Sequence, residues 1–446
     1  MVKHEYKLAL IGLDGVGWNA LEWFLPQMSN LKSILRNSKT YTIEAVPPYT
    51  PCIWTSISTG ANPGKHGVFG FLNVLRLPNN RFRIKVMTSH DVKYPRIWEY
   101  LALLKARSIV VNFPLTYPFE NMILDYSIII SGWDSPKTEC YPSTIASMYP
   151  DLILGYNHLW YRVKRDNPNQ IKMYLRGLRD TLKRRLNALN RLINNYKHTF
   201  LAMIISETDW IQHLLVSKSE IIEHEEVADI LFTIDDFINK IVEKYEYVII
   251  VSDHDHYTYR RAFNILYPLL EANILRITID QKESSSNILR SLLMSMIDII
   301  NNPLYLRIAL SSTLLRKSMI SLPVRIMKGE IKYRDIHIAE NNYGLYLNQR
   351  LKKYQTHLIK LYKHYQVQAI ENKRLFWGPF SDSLPDIIFG PQIFEKGYTL
   401  TADLLYKSII DVVTRDHYPR GLMIAFGYNH LITITSNMIK PWNVGV

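Results

Sequence analysis

The chain reads as an α/β protein built on a doubly wound, largely parallel sheet with helices on both faces, plus a mostly helical insertion. Three observations predict this. Short apolar, β-rich runs alternate with helical patterns along most of the 446 residues, as strands and crossover helices do in a parallel sheet. Asp14, Asp209 and Asp253 each stand just after an apolar run, where open α/β sheets gather functional residues at strand carboxyl ends. One stretch, about 274–341, breaks the alternation with a Leu-, Ile-, Met-, Ser- and Arg-rich helical pattern.

The elements follow in order. Strands are expected at Lys7–Leu13, Ser108–Phe113, Met122–Ile130, Thr199–Ser206, Tyr247–Ser252 and Gly421–Phe426. Helical periodicity fills the gaps at Met28–Asn37, Thr50–Ser58, Arg96–Lys105, Gln170–Tyr196 and Ile221–Lys244. The chain therefore divides into a catalytic core over 1–273 and 342–446, with residues 274–341 inserted as a cap over a substrate cleft.

Composition sets the class. Hydrophobic residues make up 47% and aromatics 12%, enough for a packed core and too much for global disorder. No apolar run reaches the ~18 residues that cross a bilayer. LALIGL near the N-terminus is too short for a signal-peptide apolar region and reads as a buried first strand. Two cysteines, Cys52 and Cys140, form no disulfide framework or thiolate metal site, which suits a cytoplasmic protein.

The net charge of +13 raises the question of an anionic partner. Arg162–Lys197 holds eleven Lys/Arg against two Asp, on a helix whose apolar positions recur at helical spacing. Aromatics are not interleaved with the cations as a single-strand platform requires, so this face reads as solvated and no obligate nucleic-acid partner is implied.

Seven side chains carry the chemistry: Asp14, Thr50, Asp209, His213, Asp253, His254 and His417. Pro51 after Thr50 marks a helix start, placing Thr50 as the N-cap. There the free amides and the macrodipole attract an anion, and the hydroxyl could attack phosphorus. Asp209 and His213 lie at i and i+4 on one helical face after the strand TFLAMIIS. Asp253 and His254 follow YVIIVS. Carboxylate and imidazole donors suit zinc, and also manganese or iron. Two such ions roughly 4 Å apart can stabilise both the attacking and leaving oxygens of an in-line phosphoryl displacement. Gly12, Gly15 and Gly17 have the wrong spacing for a dinucleotide loop, and no P-loop occurs.

The ordered set resembles the alkaline-phosphatase-like superfamily, in its type I phosphodiesterase/nucleotide pyrophosphatase branch. The Pro47–Phe71 segment, with TGANPGKHG inside it, is similar to that family's nucleophile segment; NFPLTYP, SGWDSP, SDHD, NYGLYLNQR and GPFSDSLPDIIFG match further blocks. The resemblance implies a metal-dependent phosphoric ester hydrolase, most simply a diesterase, acting on a small-molecule phosphate ester through a covalent phosphothreonine. Carried across, Thr50 is the nucleophile. Asp14, Thr50, Asp253 and His254 hold one divalent ion, and Asp209, His213 and His417 hold another, zinc or manganese.

Three positions depart from the family pattern. Ile53 replaces a phosphate-contacting Asn, SDHD replaces SDHG and so adds the charge of Asp255 near the second site, and His417 is followed by Tyr-Pro-Arg. A mutase or phosphotransferase of the same superfamily, or a basic nucleic-acid-binding protein on a decayed hydrolase scaffold, are the alternatives. The sulfatase modification motif is absent.

Overall fold

The computed structural model describes residues 7–272 except 121 and 157, then 274–275, 277–279, 331–333, 335–403 and 407–427. An eight-stranded sheet runs through its centre in the order Lys39–Glu44, Arg420–Phe426, Tyr247–Val251, Leu8–Leu13, Phe200–Ile205, Ser108–Phe113, Ser127–Ser131, Cys140–Tyr141. From Tyr247–Val251 to Ser127–Ser131 every pairing is parallel, while Arg420–Phe426, Lys39–Glu44 and Cys140–Tyr141 add antiparallel margins. The largely parallel, doubly wound sheet expected from the sequence is therefore present.

Alternation along the strands shows why both faces are covered. Leu201, Met203 and Ile205 enter one apolar cluster, with Leu178, Leu182 and Leu189 of the long basic helix and Ile230, Ile234 and Phe237 of its neighbour. Phe200, Ala202 and Ile204 enter another, with Trp54, Trp98 and Phe113. At roughly 25 cal/mol per Å² of apolar surface removed from water, this double burial is the main force fixing the sheet.

Several expectations need adjustment. The Met122–Ile130 strand begins only at Ser127. The Ile221–Lys244 helix is two helices, Lys218–Glu223 and Glu225–Val242. Ser217 and Glu220 form a capping box for the first, and extended His224 (φ −93°, ψ 106°) divides them. Of the expected 274–341 insertion, residues 276, 280–330 and 334 lie outside the described residues. Its described margins are strands, with Ile277–Ile279 paired to Ile331–Tyr333 and Ile336–Ile338 joined to a four-stranded sheet.

The basic helix spans Pro168–Asn195, with Asn167 accepting from the amide of Gln170. Its cationic face is partly matched. Arg176 lies 3.1 Å from Glu226, Arg179 lies 3.3 Å from Asp229, and Arg184 lies 2.6 Å from Asp151. Arg185 turns inward to a buried pair with Glu207 at 2.9 Å.

A further sheet escaped the sequence reading. Asp255–Asn264 pairs antiparallel with Ile409–Tyr418 and parallel with Tyr398–Thr401, so this ribbon continues directly from the central strand Tyr247–Val251.

Candidate active site

The structure brings all seven expected side chains together at the carboxyl ends of the central strands. Asp14 follows Leu8–Leu13, with its amide donating to the carbonyl of Ile205 at 3.1 Å and its carbonyl accepting from the Thr208 hydroxyl at 2.7 Å. Asp253 follows the adjacent strand, and its Oδ1 accepts from the Gly15 amide at 3.3 Å. Thr50 opens the helix Thr50–Thr59, with extended Tyr49 rather than Thr50 as its N-cap. That one-residue correction keeps the hydroxyl at the helix N-terminus, 3.4 Å from His254 Nε2. His254 Nε2 also lies 3.3 Å from Asp253 Oδ2 and 3.8 Å from Asp14 Oδ1. These four residues form an oxygen-rich lobe.

The second lobe is richer in nitrogen. Asp209 and His213 share one face of the helix Glu207–Leu214, with His213 Nε2 3.5 Å from Asp209 Oδ1. His417 reaches the same point from the ribbon, its Nε2 3.1 Å from that of His213 and 3.9 Å from Asp209 Oδ1. The lobes touch: the His254 and His417 ring centroids are 4.0 Å apart. Neighbours orient the rings. His254 Nδ1 faces the Asp255 carbonyl at 3.1 Å, the Tyr343 hydroxyl meets His417 Nδ1 at 3.1 Å, and Trp160 stacks on His213 at 4.5 Å between centroids. A further chain braces the site, because Arg415 donates to Gln212 Oε1 at 2.7 Å and Gln212 Nε2 donates to the Gly15 carbonyl at 2.8 Å.

The sequence reading missed His256. Its Nε2 lies 2.7 Å from Asp209 Oδ1, and the ring stands 4.7 Å from His213 between centroids. The missed signal was the spacing in Asp253-His254-Asp255-His256. In extended chain, residues two apart share a face, so both imidazoles point inward.

The same alternation corrects the expectation for Asp255. Its carboxylate points away from the metal-ligand candidates and accepts from the amides of Asn19 at 2.8 Å and Ala20 at 3.1 Å, capping the helix Trp18–Phe24. Ile53 is buried in a small apolar cluster with Ala45 and Cys52, so no side-chain amide occupies that position.

The electrostatics call for cations. Burial, and then repulsion from Asp253, hold the carboxyls of Asp14 and Asp209 well above the usual carboxylate range, and burial lifts Asp253 to about 7. Burial also pushes the imidazoles down, His254 to about 4, His417 to about 3, and His213 and His256 well below their ordinary value. Neutral imidazoles are the form that binds metal. Asp14 Oδ1 and Asp253 Oδ2 are buried without a hydrogen-bond partner among the described residues. Asp209, His213, His256 and His417 bring one ligand atom each within 4.8 Å of one another, as do Asp14, Asp209 and His254. Unpaired buried carboxylates beside neutral imidazoles are a donor set that divalent cations fit.

Residues 8–296 match the sequence pattern of the type I phosphodiesterase / nucleotide pyrophosphatase family. The chain belongs to that family. Membership makes it a hydrolase of phosphate esters. The fold agrees with phosphonoacetate hydrolase from Sinorhizobium meliloti in complex with phosphonoformate, at a TM-score of 0.60 and 13% identity over 94% of this chain and 90% of that one. It agrees also with murine ectonucleotide pyrophosphatase / phosphodiesterase 5, at 0.51 and 10% over 95% and 88%. At such identities the likeness shows a shared fold. By sequence, no functionally curated protein matches the chain.

Proposed function

We propose that the chain is a metal-dependent phosphodiesterase acting on a small-molecule ester through Thr50. The observation that supports this best is the convergence of Asp14, Thr50, Asp209, His213, Asp253, His254 and His417 on one buried cluster, in a chain of phosphodiesterase family. Asp14, Thr50, Asp253 and His254 would hold one divalent ion, and Asp209, His213 and His417 another, with zinc or manganese suiting the donors. Bound there, the ions would offset the buried carboxylate charge, polarise the phosphoryl oxygens and acidify the Thr50 hydroxyl and a water.

The chain's own residues do the rest. Thr50 Oγ1 attacks phosphorus as its proton passes to solvent, and the leaving alkoxide departs and takes a proton from solvent. The first-turn amides of the Thr50–Thr59 helix face the phosphoryl group, adding an anion-stabilising dipole that needs no reorganisation. The resulting phosphothreonine is then cleaved by water, which restores the hydroxyl and frees the phosphate monoester. His254 and His417, neutral at pH 7 and fixed through their Nδ1 atoms, aim their Nε2 atoms into the site. Cytoplasmic placement belongs to the same proposal and is supported by the buried, unpaired Cys52 and Cys140. Among the described residues no helix is long and apolar enough to cross a membrane.

The test is turnover of bis-p-nitrophenyl phosphate by zinc- or manganese-loaded protein, beside the monoester p-nitrophenyl phosphate. Thr50→Ala should lower kcat by roughly three orders of magnitude or more even with the metal in saturating excess, which offsets the loss of one proposed ligand. A Thr50→Ala protein as active as the parent would remove the covalent route, and a monoester preference would remove the diesterase reading.

A further inference from the structure

We propose that His256 is itself a metal ligand, giving the nitrogen-rich lobe three imidazoles and one carboxylate rather than two and one. This rests on the two-ion reading above. His256 is fully buried, and its Nε2 is the nitrogen closest to Asp209 Oδ1, at 2.7 Å against 3.5 Å for His213 and 3.9 Å for His417. Antiparallel pairing sets His256 directly opposite His417 on the neighbouring strand, where side chains of one face stand closest. The ring centroids of this pair are 5.5 Å apart.

Room for the ring is made elsewhere in the chain. Gly15 has φ +68°, and a Cβ there would stand 2.8 Å from the His256 imidazole and 3.0 Å from Asp209 Oδ1. A side chain at position 15 would displace the imidazole from the cluster.

Two consequences follow from the donor count. Three imidazoles shift this lobe's preference toward zinc or cobalt, while the oxygen-rich lobe remains the better manganese site. Four protein donors also fill a tetrahedral shell, so a water or phosphate oxygen must enter as a fifth ligand or displace one. His256 is the donor placed to yield. Its Nδ1 has no partner among the described residues, unlike the anchored Nδ1 atoms of His254 and His417.

The competing role is orientation, with His256 Nε2–H only donating to Asp209. Cobalt separates the two. Metal-free protein is titrated with Co2+ while its d–d absorption is recorded, for the parent, His256→Ala and His256→Gln, with the melting curve of each metal-free variant as a folding control. A ligand role predicts two equivalents in the parent, a changed band position and intensity for one of them in both variants, and affinity for that equivalent weakened more than about 100-fold, beyond what losing an outer hydrogen-bond partner costs. Glutamine can still donate to Asp209, so restoration of the parent spectrum by His256→Gln would establish orientation alone and overturn the proposal. An unchanged spectrum in His256→Ala would overturn it too. If alanine prevents folding, the glutamine variant decides. A parent that binds no cobalt in the cluster would instead overturn the two-ion reading.

Discussion

The two lobes of the site are made differently. The oxygen-rich lobe stands on the centre of the parallel sheet: Asp14 and Asp253 follow adjacent strands whose register pairs Gly12 with Val251. Thr50 joins them from a helix whose Trp54 packs in the core. The nitrogen-rich lobe takes only Asp209 and His213 from an element that follows a central strand. His256 and His417 come from the ribbon, and their meeting depends on an antiparallel register between distant segments. A slip of one residue by either strand would turn that strand's imidazole outward and part the pair. The parallel core thus makes one lobe nearly unavoidable, whereas the other is conditional on a second sheet forming correctly.

Four experiments probe that contrast. The largest effect is expected from a chelator at neutral pH, which should abolish diester turnover. It should also lower the melting temperature, because each ion present at 100 times its Kd contributes about 2.7 kcal/mol. Full turnover after chelation, with metal content checked by elemental analysis, would end the metal reading for both lobes.

Next comes Arg185→Met, which leaves Glu207 buried without its cation two residues from Asp209. Breaking a buried pair from one side costs about 3–5 kcal/mol, seen in chemical denaturation. The nitrogen-rich lobe should lose affinity before the other, and an equal loss in both lobes would count against its being the more conditional of the two.

Asp255→Ala removes the acceptor for the amides of Asn19 and Ala20, between the two inward-facing histidines. A loss of about 1–2 kcal/mol is expected from the cap, with metal affinity weakened in both lobes. Affinity unchanged in either lobe would show that the cap does not position its histidine.

The smallest effect concerns the oxygen-rich lobe's helix. His66 Nε2 meets Ser56 Oγ at 2.9 Å, and burial, then Arg96, hold the imidazole down to about 3. Between that value and the ordinary 6.5 the unfolded chain binds more protons. Stability from this group is therefore complete above 6.5 and is lost as pH falls through the window, by about 1 kcal/mol at pH 5.5. His66→Gln should flatten that part of the stability curve, and an unaltered acid limb would assign the loss to other groups.

The strand ends were readable because period and position act locally. An apolar run followed by Asp14, Asp209 or Asp253 reports both a buried strand and what stands at its end. His256 was equally visible as the second imidazole of an alternating pair, but its inward direction needs the ribbon, and the ribbon's strands carry mixed apolar and charged residues. Asp255 was misplaced for the same reason, since only the neighbouring helix N-terminus shows where its carboxylate goes. The helix break at His224 carries no proline or glycine to announce it.

What the sequence by itself determined is the α/β class, the long basic helix, and the placing of Asp14, Asp209 and Asp253 just after apolar runs, because hydrophobic period and end chemistry are local properties. Tertiary structure alone decided that Asp209 lies within ligand range of both lobes, that Arg185 turns inward while its neighbours stay solvated, and that His256 faces His417. Those are relations between segments far apart in the chain, and their distances are set by sheet register and packing.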